Sequence, residues 1–325
     1  MKTNPQPQYS DHFRDAPVLI TGGAGFIGSH LVERLLELGA SLRVIDDLST
    51  GKRSNLPGDE VTFIESSILD EASLGRAMEG CRYVFHQAAF ISVPLSVEKP
   101  SECFEINVIG TEKVIRAARD AGVQRMMFAA TSAAYGESTA LPSREDQEPD
   151  CCSPYAASKV AGEAMLTAFS HSYGISTVAL RYFNVFGPRQ DPKSAYAAAI
   201  SAFGEALING HRPTIFGDGK QTRDFVYIAN VVHANLLAAS CDKPLGGEVF
   251  NVGMGERISL LEILQQMGEW LKIDVDPVFE EPRAGDVRHS LADVSRTRDQ
   301  FGYEPIVSFE DGLQLTLEWM KTQST

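Results

Sequence analysis

The 325-residue sequence has no apolar run approaching the roughly 20 residues needed to span a bilayer, so no membrane partner is expected. From Met1 to Pro17 it lacks the charged-then-apolar pattern of a secretory leader; residues 1–16 read instead as a polar, flexible or partner-draped arm. Cysteine is scarce and odd in number: Cys81, Cys103, Cys151, Cys152 and Cys241 form no metal-like repeat. Cys151 and Cys152 are adjacent, a poor geometry for pairing with each other. A reduced, cytoplasmic chain is therefore expected. The seven histidines show no ligand spacing, so no metal site is expected. Basic charge is also short: the net charge is −14 with no basic stripe, which argues against nucleic acid as a partner. A few local arginines could still hold an anionic ligand. Internal repeats, low-complexity tracts and obvious linkers are absent.

What is present is alternation. Hydrophobic residues make up 43% and charged residues 22%, values ordinary for a globular core with a solvated surface. Short apolar runs (Val18 to Thr21, Leu42 to Asp46, Val61 to Glu65, Tyr83 to His86, Met126 to Ala130 and Thr177 to Arg181) read as buried strands. Helical patterns separate them, including Phe26 to Leu38, Cys103 to Ala121 and Pro154 to Tyr173. This is an α/β chain with a Rossmann-type, doubly wound parallel sheet over residues 17–188. Past about Gly187 the alternation weakens, and residues 189–325 read mainly as a smaller α/β substrate lobe. Phe250 to Val252 is a late strand, within a 225–253 stretch expected to return to the first domain, and Leu260 to Leu271 is a helix.

Thr21 to Ser29 reads TGGAGFIGS, in which Gly23, Gly25 and Gly28 satisfy G-x-G-x-x-G. Glycines there permit a tight turn and let backbone N–H groups approach a pyrophosphate at a helix N-terminus. Such a pattern is weak alone. Here it follows a strand, opens an amphipathic helix and precedes Asp46 at the end of the second strand. Asp46 should accept hydrogen bonds from an adenosine ribose and repel a 2′-phosphate, favouring NAD over NADP. Lys52 and Arg53 lie close by and read as a solvated loop.

Ser153 to Lys159 reads SPYAASK, placing Tyr155 and Lys159 four residues apart and on one face of a helix. The ammonium should lower the tyrosine pKa toward neutrality, and a cationic nicotinamide would push the same way. Tyr155 could then take a proton from a sugar hydroxyl as hydride leaves the same carbon. Thr131, ending the fifth strand, is the third member of the set, because ligands bind at the carboxyl edge of a parallel sheet. Ser132 is its neighbouring alternative, and either hydroxyl could instead cap local backbone.

The segments TGGAGFIG, TSAAYG from Thr131, SPYAASK and RYFNVFGPRQ from Arg181 resemble the extended short-chain dehydrogenases over nearly the whole chain after the arm. Within them the sequence is most similar to the UDP-hexose 4-epimerases, particularly the bacterial enzymes that interconvert UDP-GlcNAc and UDP-GalNAc. The resemblance implies a tightly held NAD that is recycled in each turnover. It implies cofactor contacts at Gly22, Gly25, Phe26, Ile27, Gly28, Asp46 and Asp47, then at Ser67, Ile68, Gln87, Ala88, Ala89, Asn107 and Tyr182, besides Tyr155 and Lys159. For a UDP-sugar it implies Ser132, Asn184, Gln190, Ala198, Phe216, Asp286 and Ser290, with Arg223 and Arg283 anchoring the diphosphate. Arginine suits phosphate because its planar fork gives bidentate, charge-assisted bonds. It also implies a homodimer made by a four-helix bundle of Cys103 to Ala121 and Pro154 to Tyr173. Ala117, Ala118, Ala161 and Ala164 would allow close approach there, or equally against the parent sheet.

The implied reaction is oxidation at C4, rotation of the 4-keto sugar about the pyrophosphate, and return of hydride to the opposite face. Related dehydratases carry an Asp-Glu pair directly after the catalytic threonine; here Thr131 is followed by Ser132, Ala133 and Ala134. Elimination and decarboxylation are thereby disfavoured. Ser290 stands where a bulky tyrosine restricts some relatives to unsubstituted hexoses, and Gln190, Tyr196 and Ala198 match the acetamido-sugar members. Three departures stand out: Ile91 in place of a glycine, Ser67 in place of an aspartate near adenine, and Ser201 in place of a proline. UDP-GlcNAc/UDP-GalNAc is the expected pair, with UDP-Glc/UDP-Gal a possible second activity and a UDP-glucose or UDP-glucuronate epimerase the alternative. A non-catalytic dinucleotide sensor is the remaining reading; such proteins usually lose the tyrosine or lysine, and both are present.

Overall fold

In the computed structural model, which describes residues 9–138, 140–191, 199–282 and 287–323, the apolar runs become a stack of strands with helices between them. The first half runs α1 (Ser10–Phe13), β1 (Pro17–Thr21), α2 (Phe26–Glu37), β2 (Ser41–Asp46), β3 (Val61–Glu65), α3 (Glu71–Met78) and β4 (Tyr83–His86). It continues through α4 (Val93–Glu98), α5 (Pro100–Phe104), a π-helical turn (Glu105–Gly110), α6 (Thr111–Asp120), β5 (Arg125–Thr131), α7 (Pro154–Tyr173) and β6 (Ser176–Tyr182). The second half is made of β7 (Asn184–Phe186), α8 (Ala199–Ile208), β8 (Thr214–Phe216), β9 (Thr222–Arg223), β10 (Phe225–Tyr227) and α9 (Ile228–Ser240). After these come β11 (Gly246–Val252), β12 (Ile258–Ser259), α10 (Leu260–Leu271), β13 (Val278–Glu280), α11 (Ser295–Phe301) and α12 (Phe309–Gln323).

Seven strands form one parallel sheet in the order β11-β6-β5-β4-β1-β2-β3, the doubly wound arrangement expected. Helices cover both faces, so its central strands carry apolar side chains on both sides rather than alternating; every residue of β4 and β5 is buried. The order reverses between β1 and β4, and that crevice is where ligands of such sheets bind. The late strand β11 pairs with β6 and closes one edge. The remaining strands make three two-stranded pairs, β7 with β10, β9 with β12 and β8 with β13.

Two local expectations change. The end of the N-terminal arm is not loose: Tyr9 and Phe13 are fully buried, with the Tyr9 hydroxyl 3.1 Å from His233 Nδ1 and the Phe13 ring 5.5 Å from that of Tyr83. Two aromatic side chains, each worth roughly 2–3 kcal/mol when buried, outweigh the polar average of the segment. The helix expected from Cys103 begins at Pro100 and widens into the π turn, from which Asn107 reaches back to Phe90.

Helix α7 is anchored by a buried bidentate ion pair, Arg181 of β6 to Glu163 at 2.8 and 2.7 Å, with Arg181 stacked 4.7 Å from the Tyr135 ring. Among the described residues no helix is long and apolar enough to cross a membrane.

Candidate active site

Three helices of the first half have first N–H groups tied down by a side chain: Asp70 caps α3, Ser92 caps α4 and Ser153 caps α7. Helix α2 differs. Its N-cap is Gly25, with no side chain to accept from the first turn, so those amides and the positive end of the helix face the crevice. The approach is tight, because a Cβ on Gly28 would sit 2.1 Å from the Gly22 carbonyl oxygen, and Gly22 itself has φ +68°. At the end of β2, Asp46 turns back on the same loop, its Oδ2 accepting from Ala24 N and Oδ1 from Leu48 N, both at 2.9 Å. Burial raises its pKa, and these two amides offset only part of that. An uncapped helix start, a steric need for glycine and a fixed carboxylate are what an NAD pyrophosphate and ribose require, so the residues present fit that cofactor.

From this loop a cavity of about 610 Å³ runs to α7. Gly22, Gly25, Phe26, Ile27 and Gly28 line one end, with Asp46, Asp47, Ser67 and Ile68 beside them. Gln87, Ala88 and Ala89 after β4 form its middle, and Thr131, Tyr155, Lys159, Tyr182 and Gln190 its far end. Asn107 stands behind the wall: it is buried, accepts from Phe90 N at 2.7 Å and donates to Phe90 O at 3.0 Å and Ser158 Oγ at 2.9 Å. It therefore sets the Phe90 backbone. Sequence reasoning missed Ser49, Thr50 and Ser66, which also line the cavity; their signal was position, immediately after β2 and β3.

At the chemical end the elements converge for local reasons. Ser153 caps α7 through Ala156 N at 3.1 Å, and Pro154 opens the helix, so Tyr155 sits in the first turn. The Tyr155 amide has no intrahelical partner there and donates to Ser96 Oγ of α4 at 3.1 Å. Thr131 and Tyr182 lie side by side in the β5–β6 register. Thr131 Oγ1 accepts from Ala133 N at 3.1 Å, so it caps backbone, and its hydroxyl is also hydrogen-bonded to the Tyr155 phenol. The capping reading of that hydroxyl holds, and the cap leaves it beside the phenol. Tyr182 is a neutral phenol, pushed up to about 12 by burial and held by Gln87 Nε2 at 3.2 Å and by Asn235.

One expectation is corrected. Tyr155 is not held ionised by Lys159 in this arrangement: burial raises its pKa, and the Thr131 hydrogen bond offsets only part of that. The ammonium instead donates to the Ala129 carbonyl at 2.9 Å and lies 4.8 Å from the Phe128 ring centre. Burial pushes Lys159 itself down to about 8. Helical spacing puts two residues on one face but leaves open which neighbouring strand the longer one reaches.

Of the expected substrate residues Gln190 lines the cavity, whereas Ser132, Asn184, Phe216, Arg223 and Ser290 lie outside its lining. Asn184 Nδ2 donates to Ser290 Oγ and to Asp224 O, both at 3.2 Å. Arg223 donates to Thr222 O at 3.0 Å and Arg288 O at 3.2 Å. Phe216 ends β8, its carbonyl accepting from Gln221 Nε2 at 2.7 Å. Ser132 is half-buried at the start of the 3₁₀ turn after β5. Tyr196, Ala198, Arg283 and Asp286 lie outside the described residues. Sequence reasoning passed over Asp224, next to Arg223. It is fully buried, and its carboxylate accepts from Met254 N at 2.8 Å, Gly255 N at 3.0 Å and Ala292 N at 3.0 Å, gathering three lobe segments. Its signal was an acid standing directly before the apolar run FVYI.

A dinucleotide crevice that ends on a tyrosine, a lysine and a threonine belongs to enzymes that move hydride and proton at a hydroxyl-bearing carbon. Comparison with known proteins narrows that class. Residues 18–253 match the NAD dependent epimerase/dehydratase family. A UDP-glucose 4-epimerase of Mycolicibacterium smegmatis is 38% identical over 312 residues, covering 94% of this chain and 99% of its own. Among solved structures, a UDP-N-acetylglucosamine 4-epimerase from Methanobrevibacter ruminantium, in complex with UDP-N-acetylmuramic acid, is 39% identical with a TM-score of 0.92 over 96% of this chain and 100% of its own. A UDP-glucose 4-epimerase from Thermotoga maritima, with UDP-glucose, is 40% identical with a TM-score of 0.91 over 95% of this chain and 100% of its own. The chain belongs to the NAD-dependent epimerase/dehydratase family.

Proposed function

We propose that this NAD-dependent UDP-sugar 4-epimerase interconverts UDP-GlcNAc and UDP-GalNAc, with UDP-Glc/UDP-Gal as a second activity. The observation that carries the reaction type is the composition of the cavity around Thr131. Tyr155 is the acid–base group there, and the next residues, Ser132, Ala133 and Ala134, add none. Glu102, at the rim, is already paired with Lys99 at 3.3 Å. Removing and returning one proton at C4 needs one such group; eliminating water needs a further acid.

When bound, NAD supplies a reversible hydride acceptor at this site. Tyr155 takes the C4 hydroxyl proton as the carbon is oxidised, Thr131 holds the same oxygen, and the 4-keto sugar accepts hydride on its other face while Tyr155 returns the proton. Lys159 fixes the depth of the site through Ala129 and carries its charge below about pH 8. The sugar must turn between the two half-reactions, so the nucleotide is held and the ring is not. Arg223 supports the diphosphate role, together with Arg283, which lies outside the described residues.

Small Ser290, bonded to Asn184, favours room for an acetamido group. Ile91 favours the plain hexose, since its side chain is largely exposed on the cavity lining. We extend the proposal to a homodimer through α5, α6 and α7. Phe104, Ile109 and Tyr173 are exposed there, whereas Ala118 is buried in the subunit's own core. A monomer by gel filtration at assay concentration would contradict the dimer. For the substrate, purified protein is offered UDP-GlcNAc, UDP-Glc and UDP-GlcA without added cofactor and the products are separated. The fastest conversion is expected for UDP-GlcNAc; conversion of UDP-GlcA or UDP-Glc alone overturns the substrate, and conversion of none overturns the enzyme.

A further inference from the structure

Between the cofactor end and the lobe, the loop after β7 carries an arginine in an unusual backbone state. Arg189 has φ +68°, one of four non-glycine residues with positive φ among the described residues. That conformation costs roughly 1–2 kcal/mol for a residue with a Cβ, so something must hold it. The holding groups lie about 160 positions away in sequence, on α2. Arg189 Nη2 donates to His30 Nδ1 and to Glu33 Oε2, both at 2.7 Å. His30 Nε2 lies 2.9 Å from Pro188 O. Arg189 Nε also lies 3.3 Å from His30 Nε2; with the proton on Nε2 the ring donates to the Pro188 carbonyl, and the Nδ1 lone pair accepts the shorter guanidinium contact. Burial, with the Arg189 cation, pushes His30 down to about 4, so the ring is neutral in this role.

The next residue, Gln190, lines the cavity. Both ends of its amide are spoken for, Nε2 donating to Val185 O at 2.9 Å and Oε1 accepting from Ser201 Oγ at 2.7 Å. Its place therefore follows the loop and not the ligand. On the other side of the latch, His30 stands two positions past Gly28, in the helix whose first turn faces the cofactor.

We propose that Arg189, clasped by His30 and Glu33, is a positioning residue that registers the Val185–Gln190 wall of the sugar-nucleotide site against the cofactor-binding helix. The inference rests on the epimerase reading for the identity of the ligand at that wall. A planar fork is required, because one guanidinium edge must meet an imidazole and a carboxylate together; a lysine supplies charge without that geometry.

The test compares wild type with Arg189→Met and Arg189→Lys, each as isolated with its bound NAD. Three quantities are read: NAD per chain, the calorimetric Kd for UDP-GlcNAc, and KM against kcat. Calorimetry reports binding whether or not the ligand is turned over. Both variants are expected to keep NAD within about twofold of wild type, to raise Kd and KM about tenfold, and to change kcat far less. His30→Phe should reproduce the pattern. A lower melting temperature with unchanged Kd and KM would make the latch merely structural and overturn the proposal, as would a Lys variant indistinguishable from wild type. If wild type binds UDP-GlcNAc without converting it and the variants lose that binding, the latch stands and the epimerase reading fails.

Discussion

In the nucleotide half, cavity residues are reached by walking off the end of a strand: Asp46 from β2, Ser67 after β3, Gln87 after β4 and Thr131 from β5. In the lobe, Asn184, Arg223 and Ser290 sit on two- and three-residue strands and loops joined by a few long-range hydrogen bonds. One half obtains its geometry from a sheet repeated seven times over, and the other from a few polar side chains such as Asp224 and Arg189. A site made in the first way tolerates the loss of any one contact. A site made in the second way has few contacts to lose.

That contrast can be pressed experimentally. The largest effect is expected where the sheet half has no tolerance, at Gly28, since any Cβ meets the Gly22 carbonyl. Gly28→Val should yield protein isolated without NAD and without turnover, read by dinucleotide release on denaturation; wild-type NAD content would mean that the cofactor does not use this turn. Next is Asp224→Asn, which leaves an NH₂ facing backbone donors and should cost about 1–3 kcal/mol in urea unfolding. Burial pushes Asp224 up to about 6. A carboxyl raised in this way contributes stability that is complete below about pH 4 and lost as pH rises through 6. Wild type should therefore lose up to about 3 kcal/mol across that window, a slope that the variant lacks; equal slopes would remove Asp224 as its source. The smallest effect is expected at Ser290→Tyr, which displaces the hydroxyl from Asn184 and fills space. It should lower kcat/KM for UDP-GlcNAc about tenfold relative to UDP-Glc, within the range of pocket-shape discrimination. Equal losses on both would mean that Ser290 is not the gate.

The same contrast explains what could be read from the chain. Strand and helix order was visible because apolar runs and helical faces are local patterns, and TGGAGFIG and SPYAASK are local too. The two aromatics of the arm were hidden by their polar neighbours. The Tyr155 environment was misjudged because the partner of Lys159 is a carbonyl on β5, 30 residues earlier. The latch at Arg189 and the partners of Asp224 were invisible for the same reason: they are brought together by the fold, not by spacing.

The account depends on Tyr155 being the group that exchanges the sugar proton while the sheet half holds the cofactor independently. Tyr155→Phe, isolated and assayed for bound NAD and for epimer formation in one preparation, tests both together. Full NAD content with turnover reduced about 10²–10⁴-fold is expected, the usual contribution of a general acid–base group. Near-normal turnover with the same NAD content would contradict it.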